Sequence, residues 1–319
     1  MNHLSARRPG GRGLLGLALT GLLALTACGA NDDPAAEPQE TGGGGSVVVG
    51  SADFPESQII AEIYAGALKA EGIDADTKLN IGSREIYYGA VEEGSVDIVP
   101  EYSGNLLLFV NPEAEEESAE EIIEALPAAL KERSGDVNLG VLEPAEAENK
   151  DSMVVTPETA EKYGLESLVD LGKVCDQFTI ASGSTFQERA YGLPGLKERY
   201  GCVPKAFQGI NDGGGAVTLE ALLSGEVEVV NIYTTTPSIT DNNLVVLEDP
   251  ENLFIAQQVV PLVNLDTVNE EARDVLNEVS SQLTTEDLLN LNREVSGEEK
   301  RNPADAAEDW LAEKGLGGA

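Results

Sequence analysis

Hydrophobic and polar positions alternate with two different periods along the chain from about residue 46 onward. Short apolar runs such as SVVVGS (46–51) predict strands, and longer segments with apolar residues at helical spacing predict helices between them. The clearest helix is FPESQIIAEIYAGALKAEG (54–72), in which Pro55 suits the first turn and Gly72 ends the segment. Strands that alternate with helices favour α/β layers with a largely parallel sheet.

The alternation of strands and helices occurs in two series. In the first, DADTKLNIG (74–82) and SVDIVP (95–100) predict further strands. A second series begins near residue 152 and includes the strand-like segment VEVVNIYTTT (227–236). The last part of the chain (270–316) has the apolar spacing of helices, so a helical end is expected.

One segment of the first series has an echo in the second. The segments EEGSVDIVPEY (92–102) and LSGEVEVVNIY (223–233) both have a helix-ending glycine, apolar residues alternating with acids, and a tyrosine eight positions after the glycine. Coincidence between two ordinary helix–strand units is the alternative, because the match covers few residues. If the echo is real, Tyr102 and Tyr233 both leave the carboxyl end of a strand, where open α/β sheets bind ligands.

The N-terminal segment (1–28) predicts an export signal. Three arginines precede an apolar run (14–25) that is shorter than the ~20 residues that a membrane span needs. The sequence LTAC resembles a lipobox and makes Cys28 the predicted lipidated residue; an ordinary signal peptide with an incidental cysteine is the alternative. The Arg-Arg pair leaves open whether the protein is exported by the twin-arginine pathway or by the Sec pathway.

A tether is predicted between this signal and the folded body. Residues 29–46 are rich in Gly, Pro, Ala and acids and have no apolar period, which is typical of a flexible linker. Together the two segments predict an extracytoplasmic protein that is anchored to the membrane through a lipid on Cys28.

The charge of the chain is strongly negative, with 57 acidic and 20 basic side chains and a formal net charge of −37. Because the signal holds three arginines and no acid, its removal leaves 17 basic side chains (20 less 3) and a formal charge of −40. Such a surface repels nucleic acid and favours a soluble, monomeric body.

The cysteine and histidine content restricts the chemistry further. Cys175 and Cys202 remain after Cys28, and in an exported protein such a pair predicts a disulfide worth roughly 3–4 kcal/mol in the chain-entropy account. Metal binding is the alternative, but the single histidine, His3, lies in the signal. A body without histidine excludes Ser-His and Cys-His nucleophile pairs and imidazole zinc sites. We therefore expect neither an enzyme nor a bound cofactor.

Two kinds of side chain nevertheless indicate ligand binding. The faces of Tyr102 and Tyr233 would attract a cation within ~6 Å of the ring centroid, although core or rim tyrosines are the alternative. Arg189 follows GSTFQE and would grip a carboxylate through two parallel hydrogen bonds, or else form a surface salt bridge. The glycine-rich NDGGGAVTLE (211–220) lacks the ending of a phosphate-binding loop and predicts a turn before a helix.

The chain resembles the substrate-binding lipoproteins of ABC importers for quaternary-ammonium osmoprotectants, which bind glycine betaine, choline and carnitine. The resemblance is carried by the stretches VVVGSADFPESQIIAEIYAGALKAEGI, GSVDIVPEYSGN, FQERAYGLPGLKERYG, LLSGEVEVVNIYTTTPSI, LVVLEDPENLF and AEDWLAEKGL, in that order. It implies a type II periplasmic-binding-protein fold, in which two α/β lobes are joined by two crossing hinge strands. Residues 47–150 and 250–319 would form the first lobe and residues 151–249 the second.

The resemblance also implies roles for individual residues. Tyr102 and Tyr233 fall on two positions of an aromatic cage for the ammonium group. Arg189 falls on the arginine that grips the ligand carboxylate, and Asn105 falls near that carboxylate. Asp151 matches a polar cage residue beside the hinge.

Three positions depart from the family pattern. Ala52 stands where many members have a lysine, and Met153 and Gln257 stand where cage tyrosines are usual. Two lost cation–π contacts would cost ~1–4 kcal/mol for a betaine. We therefore expect a ligand that differs from glycine betaine, such as a bulkier trimethylammonium compound or one with more polar groups.

The expected function is that of a monomeric solute-binding lipoprotein. It would close on a small quaternary-ammonium or zwitterionic solute and hand it to the permease of an ABC importer. An extracytoplasmic ligand-sensing domain on the same fold is the alternative.

Overall fold

The structure, a computed structural model, describes residues 46–297 and 299–318. The predicted export signal, the lipidation site at Cys28 and the tether up to residue 45 lie outside the described residues. Within the part that the structure describes, no helix combines the length and the apolar character that a membrane crossing requires.

Ten strands and twelve helices make up the described residues. The strands are β1 (Val47–Gly50), β2 (Ala75–Lys78), β3 (Ile98–Tyr102), β4 (Leu139–Val141), β5 (Asp151–Val155), β6 (Thr179–Ser182), β7 (Ala206–Gly209), β8 (Val229–Tyr233), β9 (Val245–Val246) and β10 (Val259–Asn264). The helices are α1 (Pro55–Ala70), α2 (Arg84–Glu92), α3 (Ser103–Val110), α4 (Ala119–Ser134), α5 (Pro157–Tyr163), α6 (Leu168–Val174), α7 (Leu193–Tyr200), α8 (Ala216–Leu223), α9 (Ser238–Asp241), α10 (Glu270–Gln282), α11 (Thr285–Ser296) and α12 (Pro303–Lys314).

The strands form two five-stranded sheets of the same design. The first has the order β2-β1-β3-β10-β4 and the second has the order β7-β6-β8-β5-β9. In each sheet the first three strands are parallel, and the fourth, β10 or β5, is antiparallel to the central strand. We call the first sheet with its helices the first lobe and the second sheet with its helices the second lobe. The expected pair of α/β lobes is therefore confirmed.

Two segments of chain cross between the lobes side by side. One leads from β4 to β5 and the other from β9 to β10. The backbone N–H of Val259 donates to the carbonyl of Ala147 at 3.0 Å, and that of Asn149 donates to the carbonyl of Gln257 at 3.1 Å. These bonds join the two crossings into a narrow two-stranded hinge.

Helix α1 illustrates how the sequence pattern forms the core of the first lobe. Pro55 occupies the first turn, where a missing N–H costs nothing, and Gly72 follows the helix at a φ of +82°. The predicted apolar face is buried as expected, with Ile59 and Ile63 fully removed from solvent. It packs with the C-terminal helices, including Trp310, and each fully buried side chain of this kind stabilises the fold by ~1.5–3 kcal/mol.

The third strand and the helix after it differ from the prediction. Strand β3 continues through Pro100 to Tyr102, because Pro100 lies opposite Pro261 and the two missing N–H groups fall at one pair of the ladder. Helix α3 then begins at once, where the sequence pattern predicted no element. A Cβ on Gly104 would lie 2.4 Å from the carbonyl oxygen of Ala256, so glycine lets this helix approach the hinge closely.

The predicted disulfide between Cys175 and Cys202 is present in the second lobe. It joins the turn after α6 to the segment after α7, and both cysteines are buried. The alternative of a metal site at these cysteines is therefore wrong.

Candidate ligand-binding site

A cavity of about 110 Å³ lies between the carboxyl ends of β3 and β8, and residues of both lobes line it. Its aromatic lining consists of Phe54, Tyr87, Tyr102, Phe186 and Tyr233. Its charged lining consists of Asp53, Arg84, Asp151 and Arg189. A small cavity with both aromatic and charged walls suits a compact, charged solute.

The two tyrosines of the sequence echo meet at this cavity. Tyr102 is the last residue of β3 and Tyr233 is the last residue of β8, the central strands of the two sheets. The ring of Phe54 stands between them, with its centroid 6.1 Å from that of Tyr102 and 5.3 Å from that of Tyr233. Three aromatic rings are thus grouped in the lining of the cavity, where a cation within ~6 Å of their centroids would be attracted.

Tyr102 and Tyr233 are held as neutral phenols. Burial and the charge of Glu56, whose carboxylate accepts a hydrogen bond from the Tyr102 hydroxyl at 2.6 Å, raise the pKa of Tyr102 well above its usual value. Burial and the charge of Asp151 raise the pKa of Tyr233. A neutral phenol ring keeps the electron-rich face that attracts a cation.

Asn105 connects the cavity to the hinge. Its side-chain amide donates to the Asp151 carboxylate at 3.0 Å. Behind it, Gln257 accepts from the Asn105 backbone N–H at 3.0 Å and donates to the Asn105 side-chain oxygen at 2.7 Å. Asn105 and Asp151 line the cavity, whereas Gln257 lies one layer behind and orients Asn105.

Asp151 is a buried carboxylate at the first position of β5, directly opposite Tyr233 on β8. Its hydrogen-bond partner is the Asn105 amide, and among the described residues no lysine or arginine forms an ion pair with it. A buried carboxylate without a cation is costly. The charge of Asp151 therefore favours a ligand that brings a positive group to this end of the cavity.

Arg189 lines the cavity from the second lobe and also forms an ion pair across the cleft. Its guanidinium donates to the Tyr191 hydroxyl at 2.8 Å and lies 3.2 Å from the Glu85 carboxylate of the first lobe. The salt bridge named as the alternative for this arginine is therefore present, and the grip on a ligand carboxylate stays a prediction.

Arg84 is a second arginine of the same wall, and the sequence pattern did not single it out. Its guanidinium makes two hydrogen bonds to the buried Glu101 carboxylate at 2.8 and 2.9 Å. Burial lowers the pKa of Arg84, but the charge and hydrogen bonds of Glu101 together with Tyr87 and Tyr191 outweigh burial and raise the pKa, so the side chain stays charged. Arg84 thus brings a cation to the cavity that Ala52 also lines, where the family pattern has a lysine.

Met153 lies away from the cavity. It is fully buried in the core of the second lobe, where Leu171 and Phe178 belong to the same apolar cluster. Met153 lies in the middle of β5, two residues after Asp151, whereas Asp151 lies at the end of the strand that faces the cavity.

The aromatic residues that the sequence pattern missed have a common location. Phe54 immediately precedes α1, Tyr87 lies in the first turns of α2, and Phe186 lies in the 3₁₀ turn after β6. All three follow a strand end at the edge of the sheets that carries Tyr102 and Tyr233. Phe54 and Phe186 lie four residues after β1 and β6, a spacing that would have identified them, whereas Tyr87 lies within α2, nine residues after β2, and has no such signal.

A second cavity of about 380 Å³ lies on the other side of Phe54 and Tyr233. Its lining includes Glu56, Thr235, Thr236 and Asn292. Gly213, which lines both cavities, has a φ of +65° and no room for a Cβ, which would lie 2.5 Å from Cβ of Phe54. Glycine at this position therefore allows the two lobes to touch.

Similar proteins show the family of the chain. Residues 45–313 match the OpuAC family, described as the substrate binding domain of ABC-type glycine betaine transport systems. The glycine betaine-binding protein YehZ of Escherichia coli (strain K12) is 29% identical over 280 residues, which cover 84% of this chain and 90% of that protein. The carnitine transport binding protein OpuCC of Listeria monocytogenes is 25% identical over 273 residues, which cover 83% of this chain and 86% of that protein.

A solved structure shows the same fold. The crystal structure of a glycine betaine/carnitine/choline ABC transporter protein superposes with a TM-score of 0.66 at 23% identity, covering 85% of this chain and 99% of that chain. This likeness and the paired sheets confirm the predicted type II periplasmic-binding-protein fold. Members of the matched family bind small solutes outside the cytoplasm for ABC importers. Because the family match spans most of its length, the chain belongs to the family of substrate-binding domains of ABC-type glycine betaine transport systems.

Proposed function

We propose that this protein captures a small quaternary-ammonium solute between its lobes and delivers it to the permease of an ABC importer. The observation that carries the proposal is the cavity in which the rings of Phe54, Tyr102 and Tyr233 stand beside the buried Asp151 carboxylate. A quaternary ammonium has no N–H to donate, so aromatic faces and an unpaired carboxylate are suitable partners for it.

The solute would lie with its ammonium group among the rings and its other end toward the arginines. Arg189 would exchange part of its contact with Glu85 for a carboxylate or another acceptor of the solute. Arg84, whose remaining guanidinium nitrogen lies 3.4 Å from the Tyr191 hydroxyl, would support the same end. Asn105 would contact the solute beside Asp151.

The departures from the family cage affect the solute less directly than the sequence pattern predicted. In our proposal Gln257 acts through Asn105, and Met153 has a packing role in the second lobe. The ring of Phe54 supplies an aromatic face beside the two cage tyrosines. The preferred solute therefore keeps a quaternary ammonium but has a polar end matched to the two arginines.

The rest of the chain fits an importer component. We propose that residues 29–46 tether the body to a lipid on Cys28, and that the lobes, residues 47–150 with 250–319 and residues 151–249, close about the hinge. Binding, without turnover of the solute, is the proposed activity.

Isothermal titration calorimetry with glycine betaine, choline, carnitine and bulkier betaines tests this proposal. We expect saturable binding with a 1:1 stoichiometry for at least one of these solutes, with the others ranked by the fit of their polar end. Absence of binding by every quaternary amine in the series would contradict the proposed ligand class.

A further inference from the structure

The carboxylate of Glu56 is a junction of four hydrogen bonds. Glu56 lies in the first turn of α1 and is only 4% exposed. One of its oxygens accepts from the Tyr102 hydroxyl and from the Asn149 amide, each at 2.6 Å. The other accepts from the Thr235 hydroxyl at 2.6 Å and from the Asn292 amide at 2.5 Å.

These four donors come from separate parts of the fold. Tyr102 ends β3 and lines the solute cavity, and Asn292 lies on α11 of the first lobe. Asn149 lies on the crossing segment of the hinge, where its side-chain oxygen also accepts from the Thr235 backbone N–H at 3.4 Å. Thr235 follows β8 of the second lobe. A single buried carboxylate therefore joins both lobes, the hinge and a wall of the cavity.

We propose that Glu56 is a positioning residue that couples solute binding to lobe closure. Its bond to the Tyr102 hydroxyl fixes the aromatic ring toward the cavity, and its bond from Thr235 holds the second lobe in the closed position. The inference rests on the proposed function, because the ring that Glu56 orients is the one assigned to the ammonium group.

Burial distinguishes this link, like the Asn105–Asp151 and Arg84–Tyr191 hydrogen bonds, from the exposed ion pairs between the lobes. The ion pairs of Arg199 with Glu117 and of Arg293 with Asp241 join partly or largely exposed side chains at 3.3 and 3.6 Å. Exposed pairs of this kind contribute little, because water and salt screen them. The Glu56–Thr235 bond is buried on both sides and has a charged acceptor, which makes hydrogen bonds stronger.

The Glu56 carboxylate accepts from both lobes, which explains how solute binding and lobe closure are coupled. When the lobes separate, Thr235 leaves and one carboxylate oxygen loses a donor, while Tyr102 and Asn149 remain on the other oxygen. A solute that pulls the lobes together restores the fourth bond. The carboxylate then holds the cage ring and the second lobe at the same time.

We call the hydrogen bond from the Thr235 hydroxyl to Glu56 the latch. Thr235→Val removes this hydroxyl with little change in side-chain shape, and Thr236→Val is the matched control. The hydroxyl of Thr236 makes no hydrogen bond within the described residues, although the residue lines the second cavity. We expect Thr235→Val to weaken the binding of the tightest quaternary-ammonium solute about tenfold, with the melting temperature of the unliganded protein unchanged. Thr236→Val is expected to bind as the wild type does.

Glu56→Gln and the double variant Glu56→Gln/Thr235→Val test the coupling. The glutamine amide would point an N–H group at the amide donor of Asn149 or Asn292 and would remove the charge of the acceptor, so we expect binding at least tenfold weaker than in the wild type. The double variant should bind no more weakly than Glu56→Gln alone, because Glu56→Gln already removes the charged acceptor on which the strength of the Thr235 bond depends. A purely structural role of Glu56 would instead give additive losses.

Small-angle X-ray scattering separates failure of the latch from failure of the proposed function. With saturating solute, we expect the wild type to be more compact than Thr235→Val at the same concentration. If the wild type binds a solute and both Thr235→Val and Thr236→Val match it in affinity and compactness, the latch is overturned while the proposed function stands. If no solute binds, the proposed function fails, and the latch is overturned with it because it requires a solute that closes the lobes.

Discussion

At the scale of residues, the site depends on rings that are placed by strand ends and held by buried acids. Tyr102 is fixed by Glu56, and Tyr233 stands opposite Asp151 in the sheet register. Phe54, at the start of α1, places a third ring next to both of them. The aromatic faces and the carboxylate charge act on the same small volume, so each should affect affinity separately.

Replacing either cavity tyrosine with leucine should remove an aromatic face while keeping apolar bulk. We expect Tyr102→Leu and Tyr233→Leu each to weaken binding of the quaternary ammonium at least tenfold, measured by calorimetry, because each lost contact is worth ~0.5–2 kcal/mol or more in a dry site. Tyr88→Leu is the control, since Tyr88 is buried beside Phe109 and does not line the cavity. It should lower stability and leave affinity intact. Unchanged affinity in both cavity variants would show that these tyrosines are structural.

The buried tyrosines should also make the protein sensitive to alkaline pH. Burial is the largest cause that raises the pKa above the usual value of about 10 for Tyr64, Tyr87, Tyr102, Tyr191 and Tyr233. The folded state keeps protons that the unfolded state loses above that pH, so stability is complete below about pH 10 and falls as the pH rises further.

Thermal unfolding from pH 7 to pH 12 measures this loss. We expect the melting temperature to fall above about pH 10, and the ultraviolet absorbance of tyrosinate to rise together with unfolding. Ionisation of these tyrosines near pH 10 in the folded protein would contradict the predicted shifts.

At the scale of elements, the period of apolar residues identified most helices and strands, and the echo identified the two central strands. Helix α1 begins and ends near the predicted residues, because Pro55 and Gly72 mark its ends. The three C-terminal helices occupy the predicted helical end, and the side chain of an Asn or Thr caps the start of each. Helix α3 was missed because it follows β3 without a turn. Contacts between distant segments, such as Glu56 with Asn292, leave no local pattern.

The same reason limits prediction of the site from sequence. The positions of Tyr102, Tyr233 and Asn105 follow from strand ends, whereas those of Met153 and Gln257 depend on how β5 and the hinge pack. Arg84 was missed because its role appears only when Glu101 and the cavity are seen together. Which side chains at a sheet edge face the cavity is decided only when the two lobes have packed together.

The disulfide links two elements of the second lobe, and we expect it to affect stability and not ligand binding. Cys175 and Cys202 lie in the second lobe and do not line the solute cavity. We expect the double variant Cys175→Ala/Cys202→Ala to lower the free energy of unfolding by roughly 3–4 kcal/mol in denaturant titration. Its affinity for the solute should stay within about twofold of the wild type. A large loss of affinity at unchanged stability would contradict this assignment.

At the scale of the whole molecule, the many acidic side chains repel one another. The formal net charge of −37 is spread over a chain with 57 acidic side chains. Salt shortens the screening length from ~10 Å at 0.1 M to ~3 Å at 1 M, which weakens this repulsion in the compact state.

We therefore expect sodium chloride to stabilise the protein. The melting temperature should rise by at least ~3 °C between about 0.05 M and about 1 M salt, measured by calorimetry at pH 7. Potassium chloride should give the same increase, because screening depends on ionic strength. A melting temperature that falls over this range would mean that attractive ion pairs outweigh the repulsion.

The central claim is that the protein recognises the positive charge of a quaternary ammonium among the rings and beside Asp151. Calorimetric titration with matched pairs tests it most directly: glycine betaine against 3,3-dimethylbutanoate and choline against 3,3-dimethylbutanol, in which carbon replaces the charged nitrogen. The account predicts that at least one charged solute binds with a 1:1 stoichiometry and that its neutral-headed counterpart binds at least ~100-fold more weakly. Equal binding of both members of a pair, or absence of binding by every quaternary-ammonium solute including carnitine and the bulkier betaines, would contradict it.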